Sequence, residues 1–230
     1  MDGIITNENK AQCINLSLVN QQINDPIYPA SGATIKVNDG VNIFSFIESV
    51  TKPGSYYSSP FQAVIGKTYT LQIEYKSDTL SATATMVPLT ASDSFTISKE
   101  NGLYKYVFIK RGDPVMVEVS YDWSSVPGYC QVFGSCEAKE TFYVLNNVDV
   151  NEVFGPDKQI IYFPAGTTII RKRYSITKEH QAFLRSLLME TQWRGGVFDV
   201  QQGNVLTNIS QGGLGFFSAC TVATDSLVVH

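Results

Sequence analysis

A chain of 230 residues is long enough for one large or two small domains at about 150 residues each, and long enough to bury a proper core. Hydrophobic residues make up 43% and charged residues 17%, the latter below the roughly 25% of ordinary globular proteins, which excludes a disordered chain; an aromatic share of 12% favours β structure. The formal charge of -4, from 17 basic and 21 acidic side chains, excludes a nucleic-acid backbone as partner.

In chain order, Met1-Asp2 carries no charged start, apolar stretch or cleavage site, and Gly3-Ile4-Ile5-Thr6 opens a strand with no lead-in. A cytosolic protein would begin this way; the abrupt strand favours an exported one trimmed of its leader. No apolar run approaches the ~20 residues that a membrane-spanning helix needs. Ile14, Leu16 and Leu18 share one face of a strand from Cys13 to Val19. Period-two alternation then places Ala33, Ile35 and Val37 on one face, and later Tyr69, Leu71, Ile73 and Tyr75. Leu80, Ala82, Ala84 and Met86 alternate with Ser81, Thr83 and Thr85, and Lys76-Ser77-Asp78-Thr79 makes a hairpin loop before them. Turn residues at Pro29 to Gly32, Asn38-Asp39-Gly40, Pro53-Gly54 and Gly66 give the strand spacing of a sandwich. Residues 1–88 therefore read as a small β-sandwich. After a proline-led boundary from Pro88 to Ser94, a second β domain over 95–230 has strands at Tyr104–Ile109, Val115–Tyr121, Gln159–Phe163, Thr167–Tyr174 and Phe216–Val222.

A single helix is predicted near 177–192. Thr177 caps it, Glu179 suits its positive first turn, and His180, Phe183, Leu184, Leu187 and Leu188 form its apolar stripe, with Gly195-Gly196 as the stop. Charge divides evenly: five basic and seven acidic residues up to position 90, twelve and fourteen beyond it.

Chemical motifs are sparse. The two histidines are His180 on the apolar stripe, read as structural, and the terminal His230. Gly66-Lys67-Thr68 resembles the end of a phosphate-binding loop, but Phe61 stands where the first glycine belongs and a strand follows. Asp149-Val150-Asn151 opens like a calcium loop, but Val153 and Phe154 stand at the next ligand and glycine positions. No catalytic, cofactor or metal site is predicted. Cys130 and Cys136 bracket a short loop and could close a disulfide in an oxidising compartment, worth roughly 2 kcal/mol for so small a ring; two free thiols are the alternative. The same loop carries Tyr129 and Phe133 where polar residues are usual, either as a ligand or partner contact or folded back on their own domain. Arg171-Lys172-Arg173 reads as a solvated edge strand protected by charge, with anionic lipid contact as the other option.

Gly3-Ile4-Ile5-Thr6-Asn7, Leu16-Ser17, Ser31-Gly32-Ala33-Thr34-Ile35-Lys36-Val37, Gly54-Ser55-Tyr56 and Gly66 through Ile73 together resemble the first domain of a Bacteroidetes lipoprotein family, domain of unknown function 4249. The carboxyl end fits too: Tyr174-Ser175, Phe183-Leu184, Trp193-Arg194, Gly203-Asn204, Asn208 and Leu214 through Ala219. The resemblance is weakest over 95–160. It implies a mainly β protein with an N-terminal immunoglobulin/transthyretin-like β-sandwich, followed by a second β domain carrying one helix. It also implies export, a lipid anchor on an N-terminal cysteine that this chain lacks, residence at the outer membrane, and a gene often beside a TonB-dependent transporter. It brings no catalytic residues.

Two functions follow as expectations. The first is a non-enzymatic outer-membrane accessory lipoprotein that partners a TonB-dependent transporter in ligand capture or gating. The alternative is a surface adhesin or glycan-binding β-sandwich module, with Tyr56, Tyr57, Tyr129 and Phe133 touching the ligand.

Overall fold

The computed structural model describes residues 1–19, 26–90, 94–110, 112–145, 160–193, 205–210 and 212–230, and of residues 132 and 133 the backbone alone. The predicted helix stop at Gly195-Gly196 and the Asp149-Val150-Asn151 run lie outside them. The protein is mainly β, as expected. Its strands are β1 (Asp2–Thr6), β2 (Cys13–Asn15), β3 (Thr34–Asn38), β4 (Ile43–Glu48), β5 (Ser55–Ser58), β6 (Thr68–Tyr75), β7 (Asp78–Thr85), β8 (Ile97–Glu100), β9 (Leu103–Tyr106) and β10 (Val115–Asp122). A one-turn helix α1 (Tyr129–Phe133) follows, then β11 (Glu137–Val144), β12 (Tyr162–Phe163), β13 (Thr168–Ser175), α2 (Lys178–Thr191), β14 (Phe216–Cys220) and β15 (Val222–Val228).

The chain folds into two compact units that do not follow a single cut near residue 88. The first contains Met1–Pro88, Ile176–Thr191 and the described part of Val200–Thr221; the second contains Leu89–Ser175, the described part of Gln192–Asp199, and Val222–His230. Helix α2 and strand β14, expected in the second domain, thus belong to the first unit. The predicted strand Phe216–Val222 is also two strands, separated at Thr221, where the chain passes from one unit to the other.

One eight-stranded sheet builds the first unit, in the order β14-β1-β2-β5-β4-β3-β6-β7. All its pairings are antiparallel except β1 with β14, which is parallel. The alternation in β3 and β6 works as read: Ile35, Val37, Tyr69, Leu71 and Ile73 are buried, while Lys36, Thr70, Gln72 and Glu74 face out. The two end strands lie side by side, linked by the bridge Val87↔Cys220 and by the Asn208 side chain. The sheet therefore rolls around a single core in which Phe217 and Ala219 of β14 join Ile5, Tyr56, Leu71 and Met86. Full burial of a side chain such as Phe217 contributes roughly 1.5–3 kcal/mol. Every residue of β14 is buried. Its inward face fills the core, and its outward face lies under α2, with the His180 and Phe183 rings stacked on Phe216 at 5.0 and 4.7 Å.

Strand β4 escapes the periodicity argument because Ile43-Phe44-Ser45-Phe46-Ile47 is apolar on both faces, so nothing alternates. The β6–β7 loop is shorter than expected: Tyr75 pairs with Asp78, leaving Lys76-Ser77 as the turn, with Lys76 at φ 55.

In the second unit, β11-β10-β13-β15 form an antiparallel sheet and β12-β9-β8 a second one. Their core is aromatic: Tyr121 stacks on Phe163 at 5.0 Å and Phe108 on Phe142 at 4.6 Å. Here the edge-strand reading of Arg171-Lys172-Arg173 is corrected, because β13 is an inner strand between β10 and β15. Arg171 is 6% exposed. Its Nη2 and Nε donate to Asp225 Oδ2 at 2.8 and 3.2 Å, and its guanidinium sits 4.4 Å from the Phe95 ring centroid. A buried cation needs such partners.

Candidate functional site

The first unit carries a half-open cleft of about 340 Å³ where its rolled sheet closes. The outward threonines Thr83 and Thr85 of β7 form one wall, and the start of α2, at Thr177, Glu179 and His180, forms the other; Asn208, Ser218 and Ala219 lie between. Each wall follows from local sequence. The β7 alternation turns Ala82 into the core and leaves Thr83 and Thr85 exposed. Helix α2 begins where it does because the Thr177 hydroxyl accepts the His180 amide at 3.2 Å.

Asn208 closes one end of this seam in place of a strand residue. Its Oδ1 accepts the Phe217 amide at 3.0 Å, and its Nδ2 donates to Phe217 O at 2.8 Å and Thr83 O at 3.2 Å. Ser210 continues the closure: its amide donates to Ser81 O at 2.8 Å and its hydroxyl accepts the Ser81 amide at 2.8 Å. Gly213 and Gly215 permit the path. An added Cβ would lie 2.4 Å from Ile209 Cγ2 at the first and 1.7 Å from the Met1 carbonyl oxygen at the second, where φ is +108.

His180 is the titratable group of the cleft. It is 4% exposed, and burial lowers its pKa to about 4, so its ring is neutral at ordinary pH. Its Nδ1 lies 3.9 Å from the Cys220 thiol, and among the described residues its Nε2 has no hydrogen-bond partner. Burial pushes Cys220 up to about 12, which leaves it a thiol. The pair therefore lacks the thiolate of a cysteine nucleophile and a base poised near neutrality. Glu179 is turned to its own helix: its pKa is lowered first by its own backbone amide and then by the Thr177 side chain. Among the described residues no group of three His, Cys, Asp or Glu side chains could hold a metal ion. The arrangement offers a solute hydroxyls, a neutral imidazole and an aromatic floor.

The loop singled out by sequence lies in the second unit. Cys130 and Cys136 are bonded to one another there. Tyr129 folds back, its ring 5.6 Å from Trp123 at 80° and its hydroxyl donating to Tyr162 O at 3.2 Å, while Trp123 Nε1 donates to Ser135 O at 2.7 Å. The Phe133 side chain lies outside the described residues. Tyr56 is corrected as a ligand contact: it is fully buried, and its hydroxyl donates to Ala30 O at 2.6 Å and accepts the Ala33 amide at 3.0 Å. Tyr57, one residue on, faces out and is 37% exposed. The cleft residues Thr83 and Thr85 were legible as outward strand positions, but no local signal joined them to Ser218, His180 or Asn208.

Over residues 1–226 the chain matches the family described as domain of unknown function (DUF4249). No curated protein matches it.

Proposed function

We propose that this chain, which belongs to the DUF4249 family, is a non-enzymatic accessory lipoprotein of the outer membrane that partners a TonB-dependent transporter in capturing or gating its ligand. One observation carries the proposal: a row of apolar side chains on the outer face of the first unit's sheet. Register places Ile47 beside Tyr57, Tyr57 beside Cys13 and Cys13 beside Ile4, so the four side chains share one face. Ile47 is 76% and Ile43 64% exposed, and Val41 and Val50 stand out at the two ends of β4. The outward residues of β3 and β6 in the same sheet are polar. An apolar strip beside a polar one marks a surface for another macromolecule. The family resemblance supplies the kind of partner, and the Cys130–Cys136 bond suits an oxidising compartment.

The test is co-purification. Tagged protein expressed from its full gene and drawn from outer membranes should enrich a transporter barrel. Ile47→Asp combined with Tyr57→Asp, both at exposed positions, should lower that enrichment at least about tenfold, a loss of roughly 1.4 kcal/mol. Purification with no barrel enriched rejects the partnership.

A further inference from the structure

We infer that the cleft beside His180 is a binding site for a small, neutral, hydroxyl-rich solute such as a monosaccharide. This deepens the capture role proposed above by naming the class of ligand and the residues that meet it. The cleft volume of about 340 Å³ lies at the lower end of the roughly 300–1,000 Å³ typical of ligand sites and suits one sugar ring better than a chain.

Charge narrows the class. Among the described residues no lysine or arginine lines the cleft, so an anion would find no counter-charge there. A cation fares no better, because Glu179, the one carboxylate among the described residues at the rim, is engaged by the amide end of its own helix and by Thr177. His180 is neutral because it is buried, and it offers hydrogen bonding without charge.

The remaining lining groups match hydroxyls. Thr83, Thr85 and Ser218 carry side chains that both donate and accept, as sugar hydroxyls do. His180 contributes a ring nitrogen, Nε2, with no partner among the described residues, on a side chain that is almost fully buried and lines the cleft. That nitrogen, facing the cleft, is a hydrogen-bonding group that a solute hydroxyl can take up in place of water. The site is held rigidly. Phe216 stacks on the His180 ring, Thr177 caps the helix that carries it, and Asn208 fixes the strand gap beneath. Binding would therefore order little that is not already ordered.

The experiment uses the purified full chain and histidine-ring NMR. The sequence has two histidines, so a His230→Gln variant assigns the His180 signals. D-glucose, D-galactose and N-acetyl-D-glucosamine are titrated separately, with sodium acetate and ethylammonium chloride as charged controls. At least one sugar should shift the His180 ring signals with a millimolar Kd, and neither control should. Thr83→Val, at an exposed position that the fold tolerates, should weaken that binding about tenfold, and His180→Gln should do the same. The inference is overturned if none of the three sugars moves the His180 signals, if a charged control binds as well as the sugars, or if the affinity survives Thr83→Val. The isolated chain is sufficient for this measurement, so its failure leaves co-purification with a transporter standing, and the reverse also holds.

Discussion

His180 shows what burial does to one side chain. In the unfolded chain its imidazole titrates near 6.5, and in the folded protein near 4, because the helix and Phe216 exclude the water that would solvate the charge. The sign of the linkage follows. Between those values the unfolded state holds the extra proton, so stability rises with pH and is lost as pH falls from about 6.5 towards 4. The loss across that window should be about 3 kcal/mol. Urea unfolding at a series of pH values measures it, and His180→Gln should flatten this part of the profile whatever its stability at neutral pH. Buried polarity is handled differently at Gln12, which is fully buried yet bonded: Oε1 accepts the Thr6 amide at 3.0 Å, and Nε2 donates to Glu8 O and Phe61 O, both at 3.1 Å. Fully satisfied, such a group orders a loop instead of weakening the core.

At the scale of elements, the closure between β7 and β14 decides whether the sheet is open or rolled. The bridge at Val87↔Cys220 holds one end and the Asn208 amide the other. Asn208→Ala would leave the Phe217 amide and two carbonyls without their partner, a cost of about 2–3 kcal/mol. Asn208→Asp should come close to it, since a carboxylate can accept from the Phe217 amide but cannot donate to the carbonyls. Gly215→Ala should be worse, at least about 3 kcal/mol, because it forces a Cβ into the Met1 carbonyl at a backbone angle that L-residues avoid. The midpoints of urea unfolding for the three variants test this ranking. A Gly215→Ala protein as stable as the parent would show that the β1–β14 pairing can shift without cost.

For the whole molecule, the composition of the first unit matters most. Residues 1–88 look self-sufficient in sequence, but the unit also needs α2 and β14, which arrive after the chain has built most of the second unit. A fragment of residues 1–88 would expose the β1 edge that β14 covers and the part of the core that Phe217 and Ala219 fill. It should give the collapsed amide dispersion of an unfolded chain in a proton–nitrogen correlation spectrum, where the full chain gives a dispersed one. A well-dispersed fragment would mean that β14 is an addition to a complete core.

The alternation in β3, β6 and β7 and the capped apolar stripe of α2 were legible because each is a local pattern, set by which side chains face water within a few residues. The mainly β class followed from them, and the order of the motifs pointed to the family. Convergence was not legible. Asn208 bonds to Thr83 across 125 positions, His180 meets Cys220 across 40, and the three charges at 171–173 gave no sign of lying on an inner strand. Period and capping are written along the chain, whereas pairing partners and burial come from the burial of apolar surface shared among distant segments, and only the folded chain brings those together.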